Sequence, residues 1–260
     1  MNNLDTWIKR GFEHYLAKDF ERLDNIHYGR IGVIIGNGSS AKDFDYSLLD
    51  HPAIVSFAIE DAGCEPDKLS PDFWVFNTAS FADRVAGGRD KSNTSGATAT
   101  ITNKRFFNHG PFNEEYPQDF PRRVYVFEKY SSWNSETNEI YREDSSISLA
   151  LYSAWKVGIR KIVLVGIDAC DISGIDYDPE DPLDNICLEY EDMRISYKHM
   201  QMIEDVSSAK IRYDKSNLEY EIYQSSLISP LSCFPKKEVG KCLIGWGLER
   251  RSDPEVIASY

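Results

Sequence analysis

The chain has 260 residues, with 29 Lys and Arg against 42 Asp and Glu, a formal charge of -13. That length buries one sizeable core, and no break in composition argues for a second, so residues 1–260 read as a single α/β domain. The negative balance argues against a nucleic-acid partner held by charge neutralisation, although a few local donors are enough to hold one phosphate.

The five cysteines, at 64, 170, 187, 233 and 242, are widely spaced and form no CxxC pair, which points to free thiols in a reducing compartment. The first residues, MNNLDTWIKR, lack an apolar signal core, and no run approaches the length of a membrane span. A cytoplasmic location is the expectation.

Taken in order, Leu4, Ile8, Phe12, Leu16, Phe20 and Leu23 recur at helical spacing with charged residues between them, which predicts an amphipathic helix over 4–24, within an N-terminal segment 1–28. Its mixed polar face favours packing on the domain or a homo-oligomer contact over peripheral attachment to a membrane surface. Val33 to Ile35 then reads as a strand buried on both faces. It runs into Gly36-Asn37-Gly38-Ser39-Ser40, where glycines allow a sharp turn and the N–H groups that follow are expected to face an anion such as phosphate. Residues 41–49 carry the first crossover, and 53–59 (AIVSFAI) form the next strand, ending on Glu60. FWVF at 73–76 is a third strand and ends on Asn77-Thr78; 98–102 and 123–127 are two more. Polar residues collected at strand ends match the edge where open α/β sheets bind ligands.

SSISLALYSAWKV, 145–157, has helical spacing, with Asp144, Ser145 or Ser146 available as N-cap and Gly158 as the stop. Ile162 to Val165 is a buried strand ending on Gly166-Ile167-Asp168. The acid-rich stretch that follows reads as a lid-like loop over 169–193, and its spacing does not follow a calcium loop, so no metal is assigned. A helix is predicted from about 194 to 207 and a late strand over 218–223, running into Gln224-Ser225-Ser226. The fold expected is a Rossmann-like, mostly parallel sheet flanked by helices.

Gly36, Gly38 and Ala41 satisfy the dinucleotide pattern GxGxxA, and Glu60 stands where a ribose-binding acid would lie. A dinucleotide-dependent oxidoreductase is therefore one alternative, but no downstream residues supply a hydride-transfer site. The P-loop pattern is absent.

The blocks GNGSSAKDFDYSLL, FWVFNTAS, SSISLALYSAWKVGIRKIVLVGID and IYQSSLISPLSCFP, in that order and spacing, resemble the bacterial family 42 sialyltransferases and the related Maf-type flagellin glycosyltransferases. The resemblance implies a Rossmann-like glycosyltransferase that moves a nonulosonic acid from a CMP-activated donor to a glycan hydroxyl, with no metal or other cofactor required. It assigns nucleotide contacts to Gly36, Asn37, Gly38, Ser39 (in place of a proline), Ser40, Asn77, Ser145, Ser146, Gly166, Ile167 and Asp168. It puts Tyr177 in a GxxY-like spacing from Gly174, as a hydroxyl assisting phosphate departure, and His199 as the general base. Further positions depart from the family: Cys170 replaces a tyrosine, Glu143 an arginine, Ile147 a glycine, and Ile59-Glu60 an asparagine. A nucleotide binder that has lost transfer activity is the second alternative.

Overall fold

The structure is a computed structural model, described for residues 16–19, 23–64, 69–76, 99–103, 123–127, 145–172, 187–190 and 193–248. Its frame is one sheet of eight strands: β1 (Leu16–Asp19), β2 (Ile31–Ile35), β3 (Ile54–Ile59), β4 (Phe73–Phe76), β5 (Ala99–Asn103), β6 (Arg123–Phe127), β7 (Lys161–Val165) and β11 (Glu221–Gln224). Their order is β1-β6-β5-β4-β3-β2-β7-β11, and every neighbouring pair is parallel. From β2 the chain steps outward through β3, β4, β5 and β6, then returns to the other side of β2 as β7 and ends the sheet with β11. The direction of winding therefore reverses between β2 and β7.

The central strands are uniformly apolar because both faces of the sheet are covered. Ile34, Val55, Phe57, Phe73, Val75, Ile162 and Leu164 point to one face, where they meet α1 (Ser146–Lys156) and α2 (Tyr197–Lys215). Val33, Ile35, Ala58, Val163 and Val165 point to the other, against Phe44, Tyr46, Leu48 and the short α3 (Val239–Gly245). The first crossover, 41–49, is made of two 3-10 turns, Ser39–Ala41 and Tyr46–Asp50, with Asp45 accepting from the Ser47 N–H as cap of the second.

α1 forms where the apolar spacing predicts it, with Ser145 as the N-cap accepting from Ser148 N–H. Its far end is closed by the segment before β2: Asn25 N–H donates to the Lys156 carbonyl at 2.8 Å and His27 N–H to that of Val157 at 2.7 Å. Those bonds satisfy carbonyls that a helix end leaves unpaired. Because α1 leads into the start of β7 and α2 into the start of β11, both helices begin at the edge where the strands end.

Three expectations change. Residues 16–19, placed by spacing in a helix, form β1 and pair in parallel with β6. An open sheet edge offers backbone partners that a weak helical stripe does not outweigh; residues 1–15 and 20–22 lie outside the described residues. Within 169–193, expected as a lid-like loop, the described residues form β8 (Asp171–Ile172), β9 (Cys187–Tyr190) and the first part of β10 (Met193–Ser196), a small antiparallel sheet in the order β8-β10-β9. The alternating pattern of Cys187 to Tyr190 and of Met193 to Ser196 is obscured in the sequence by the acids and prolines between 173 and 186, which lie outside the described residues. Since Met193–Ser196 is a strand, the helix expected from 194 starts at Tyr197, and it continues to Lys215.

Candidate functional site

The loops after β2 and β7 leave neighbouring strands at the point where the winding reverses, and they meet there. Gly36 N–H donates to the Val165 carbonyl and Gly38 N–H to the Gly166 carbonyl, both at 2.8 Å. The glycines permit this contact. A Cβ on Gly36 would lie 2.6 Å from the Gly166 oxygen, and one on Gly166, which has φ of +65°, would lie 2.3 Å from the Gly36 oxygen. The turn is glycine-rich first because two backbones touch in it.

Asp168, 3% exposed, reaches from the β7 loop into the β2 turn. Its Oδ2 accepts from Ser39 Oγ at 3.1 Å and from Ser40 N–H at 2.9 Å, and its Oδ1 accepts from Ser40 Oγ at 2.5 Å. A Cβ on Gly38 would come within 2.6 Å of Oδ2. Of the N–H groups of the turn, expected from the sequence to face a phosphate, those of Gly36, Gly38 and Ser40 are thus bonded within the chain. The chain supplies its own carboxylate to the donors of Ser39 and Ser40, as charge-assisted bonding to a turn favours. Asn37, between the two glycines, is exposed.

The peptide of Ile167 is fixed from the next strand. Gln224, fully buried at the end of β11, donates Nε2–H to the Ile167 carbonyl, and Ser229 Oγ donates to the same oxygen at 3.3 Å. Ala169 follows with φ of +52°, so the chain turns away immediately after the site. Cys170, where the resemblance has a tyrosine, is buried and in no disulfide.

The start of α1 meets two more carboxylates. Ser145 N–H donates to Asp205 Oδ2 of α2 at 3.0 Å, and Ser146 Oγ donates to Glu60 Oε1 at 2.5 Å. Burial raises the Asp205 pKa above its ordinary value, and the bonds from Ser145 work against that rise. Glu60 has φ of +47° in the turn that follows β3, and its carbonyl accepts from Trp74 Nε1–H at 2.8 Å. The start of this helix is thus held by the acid that follows β3 and by one of α2.

His199 lies in the first turn of α2, half-buried, on the same helical face as Met202, Ile203 and Val206, which join the core beside α1. It precedes Asp205 by a segment rising about 9 Å at 1.5 Å per residue. Asp205 touches the start of α1, and His199 lies nearer the N-terminal end of α2 than Asp205 does.

Of the residues singled out from sequence, the structure brings together Gly36, Gly38, Ser39, Ser40, Gly166, Ile167 and Asp168, and sets Ser145 and Ser146 at the same edge. Asn77 and Tyr177 lie outside the described residues. Sequence reasoning passed over Gln224, Ser229 and Asp205 as site residues. Gln224 carried a signal, a polar residue at the end of an apolar strand; Asp205 carried none, because a lone acid on a helix reads as a solvated one. Among the described residues no group of three or more His, Cys, Asp or Glu is arranged to hold a metal ion, and no helix is long and apolar enough to cross a membrane.

These features define a doubly wound parallel α/β fold whose β2 and β7 loops meet at its topological switch point. Among solved structures, the MAf glycosyltransferase from Magnetospirillum magneticum AMB-1 shares the fold, with a TM-score of 0.54 at 14% identity over 91% of this chain and 39% of that one. The present chain therefore spans about two fifths of that protein's length. The sialyltransferase CstII from Campylobacter jejuni, solved with a substrate analogue, aligns with a TM-score of 0.44 at 16% identity over 80% of this chain and 85% of that one. A point mutant of CstII aligns with a TM-score of 0.42 at 15% identity over 80% of this chain and 86% of that one. No protein-family model and no curated protein matches the sequence.

Proposed function

We propose that the protein is a nucleotide-sugar-dependent glycosyltransferase, with a CMP-activated nonulosonic acid as donor and a glycan hydroxyl as acceptor. The observation that carries the reading is the switch point between β2 and β7, where the Gly36 to Ser40 turn and the Gly166 to Asp168 segment are locked together. Open α/β sheets bind their ligands at such a point. The sequence blocks at this edge resemble the sialyltransferases, and that resemblance supports cytidine as the base and transfer without a metal.

In this reading the nucleotide lies over the two loops, with Gly36, Asn37, Gly38, Asn77, Ile167 and the start of α1 at Ser145 and Ser146 around it. Asp168 acts from beneath, keeping Ser39 and Ser40 in place. His199 takes the acceptor hydroxyl's proton as that oxygen attacks the anomeric carbon, and Tyr177 donates to the departing phosphate. A carbonyl-anchored loop suits a site that must be set before the donor arrives.

Calorimetric titration of CMP, CDP, UDP, GDP and NAD in EDTA tests the assignment, with cytidine nucleotides expected to bind. Binding of NAD alone would move the protein to the oxidoreductases. His199→Ala is expected to slow transfer by about two to four orders of magnitude while CMP affinity holds. A second reading, a binder without transfer, is favoured by one observation: Cys170 is buried and offers no phenol to the leaving group. Tight CMP binding with no turnover against any acceptor would select it.

A further inference from the structure

We infer that Gln224 and Ser226 read the base of the bound nucleotide, by accepting the two N–H groups of an exocyclic amine. The inference rests on the nucleotide reading above and adds to it the residues that tell cytosine from uracil. Gln224 ends β11 and Ser226 follows two residues later, in the loop that leaves the sheet's ligand-binding edge. Both are buried, at 0% and 2% exposed, yet Gln224 Oε1 and Ser226 Oγ have no hydrogen-bond partner among the described residues. Buried polar atoms in a folded protein are paired with protein, water or ligand, so these two mark a place where a partner belongs. The Gln224 amide cannot solve this by turning over. Its Nε2–H is donated to the Ile167 carbonyl, and a flipped amide would set oxygen against oxygen there.

The chemistry of the pair decides what it takes. An amide oxygen only accepts, a hydroxyl accepts as well as donates, and neither carries charge, so a phosphate, which brings acceptors alone, finds no counterpart in the amide oxygen. An amine on a ring brings two N–H donors on one nitrogen, one for each oxygen. A ring carbonyl in its place, as in uracil, leaves Gln224 Oε1 against another acceptor. The loop also supplies a surface for the face of the ring: Leu227 and Ile228, next to Ser226, are 60% and 46% exposed. The two oxygens are shielded from solvent, so the base reaches them as this loop shifts. Its ties are light: Lys236 Nζ donates to the Leu227 carbonyl in an exposed bond of 2.7 Å, and Ser229 Oγ to the Ile167 carbonyl at 3.3 Å.

The test is calorimetry of the full chain, of Ser226→Ala and of Gln224→Leu with CMP, UMP and the monophosphate of 2-pyrimidinone riboside, which lacks the amine, alongside a thermal melt of each variant. The wild type is expected to prefer CMP to both analogues by about tenfold or more, as sites that hydrogen-bond a substrate group reject the analogue lacking it. Ser226→Ala should narrow that ratio, and Gln224→Leu should bring it close to one. If the melt shows Gln224→Leu unfolded, the ratio in Ser226→Ala decides. A wild type without a preference for CMP, or a preference that both variants keep because they weaken all three nucleotides equally or not at all, overturns the inference. The two oxygens then hold a structural water only, and a nucleotide site at this edge stands. Absence of any nucleotide binding by the wild type overturns both.

Discussion

Asp168 is the residue on which the two halves of the site depend. Its carboxylate takes donors from Ser39 and Ser40 while buried, so truncation leaves those donors facing a void. Asp168→Ala is expected to cost about 2–4 kcal/mol, read as a lower urea midpoint at unchanged m-value, and to abolish nucleotide binding. Gly166→Ala sets a Cβ against the Gly36 oxygen in a left-handed backbone and should cost about 3 kcal/mol or prevent folding. Asp205 behaves differently, because burial raises its pKa and so penalises its charged form in the folded state. Its cost is absent at pH well below the ordinary value of 3.8 and grows as pH rises through the folded pKa. Asp205→Asn keeps an acceptor for Ser145 and loses the charge, so it should be more stable than wild type at neutral pH, with the gap closing under acid conditions in a pH series of melts.

At the scale of elements, the site is held by strand ends more than by loops. β11 contributes Gln224, and its amide on the Ile167 carbonyl couples the last strand to the loop after β7. Gln224→Leu keeps the volume but removes that donor, with an expected loss of about 1–3 kcal/mol in urea titration and a weaker response to CMP. Most elements around the site are legible in sequence because they repeat an unambiguous pattern. β2, β3, β4 and β7 are short apolar runs with turn residues at their ends, and α1 has both a capping serine and a glycine stop. The elements that escape do so for two reasons. β1 carries helical spacing yet pairs with β6, and β8 pairs with β10 across the acid-rich stretch, partners distant in sequence that local spacing does not encode, whereas β9 and β10 are a local hairpin of short strands set in loop-like composition. The site is legible as positions but not as bonds. The glycines and serines of 36–40 stand out in the sequence, whereas their pairing with Asp168 joins residues more than a hundred positions apart.

For the whole molecule, the sheet order explains why one edge gathers the chemistry. Winding outward from β2 and then back through β7 parts the connections on either side of that pair, and the ends of β3 and β11 bring Glu60 and Gln224 to the same rim. Occupation of this edge by a nucleotide is the central claim. Amide hydrogen exchange of the full chain, with and without saturating CMP in EDTA, tests it most directly, since exchange reports where in the fold a ligand suppresses opening. Slower exchange is predicted in peptides covering 36–41 and 166–170 and at the start of α1, with the remote 3-10 turn at 46–50 unchanged. Binding accompanied by protection elsewhere and none in those segments would contradict it.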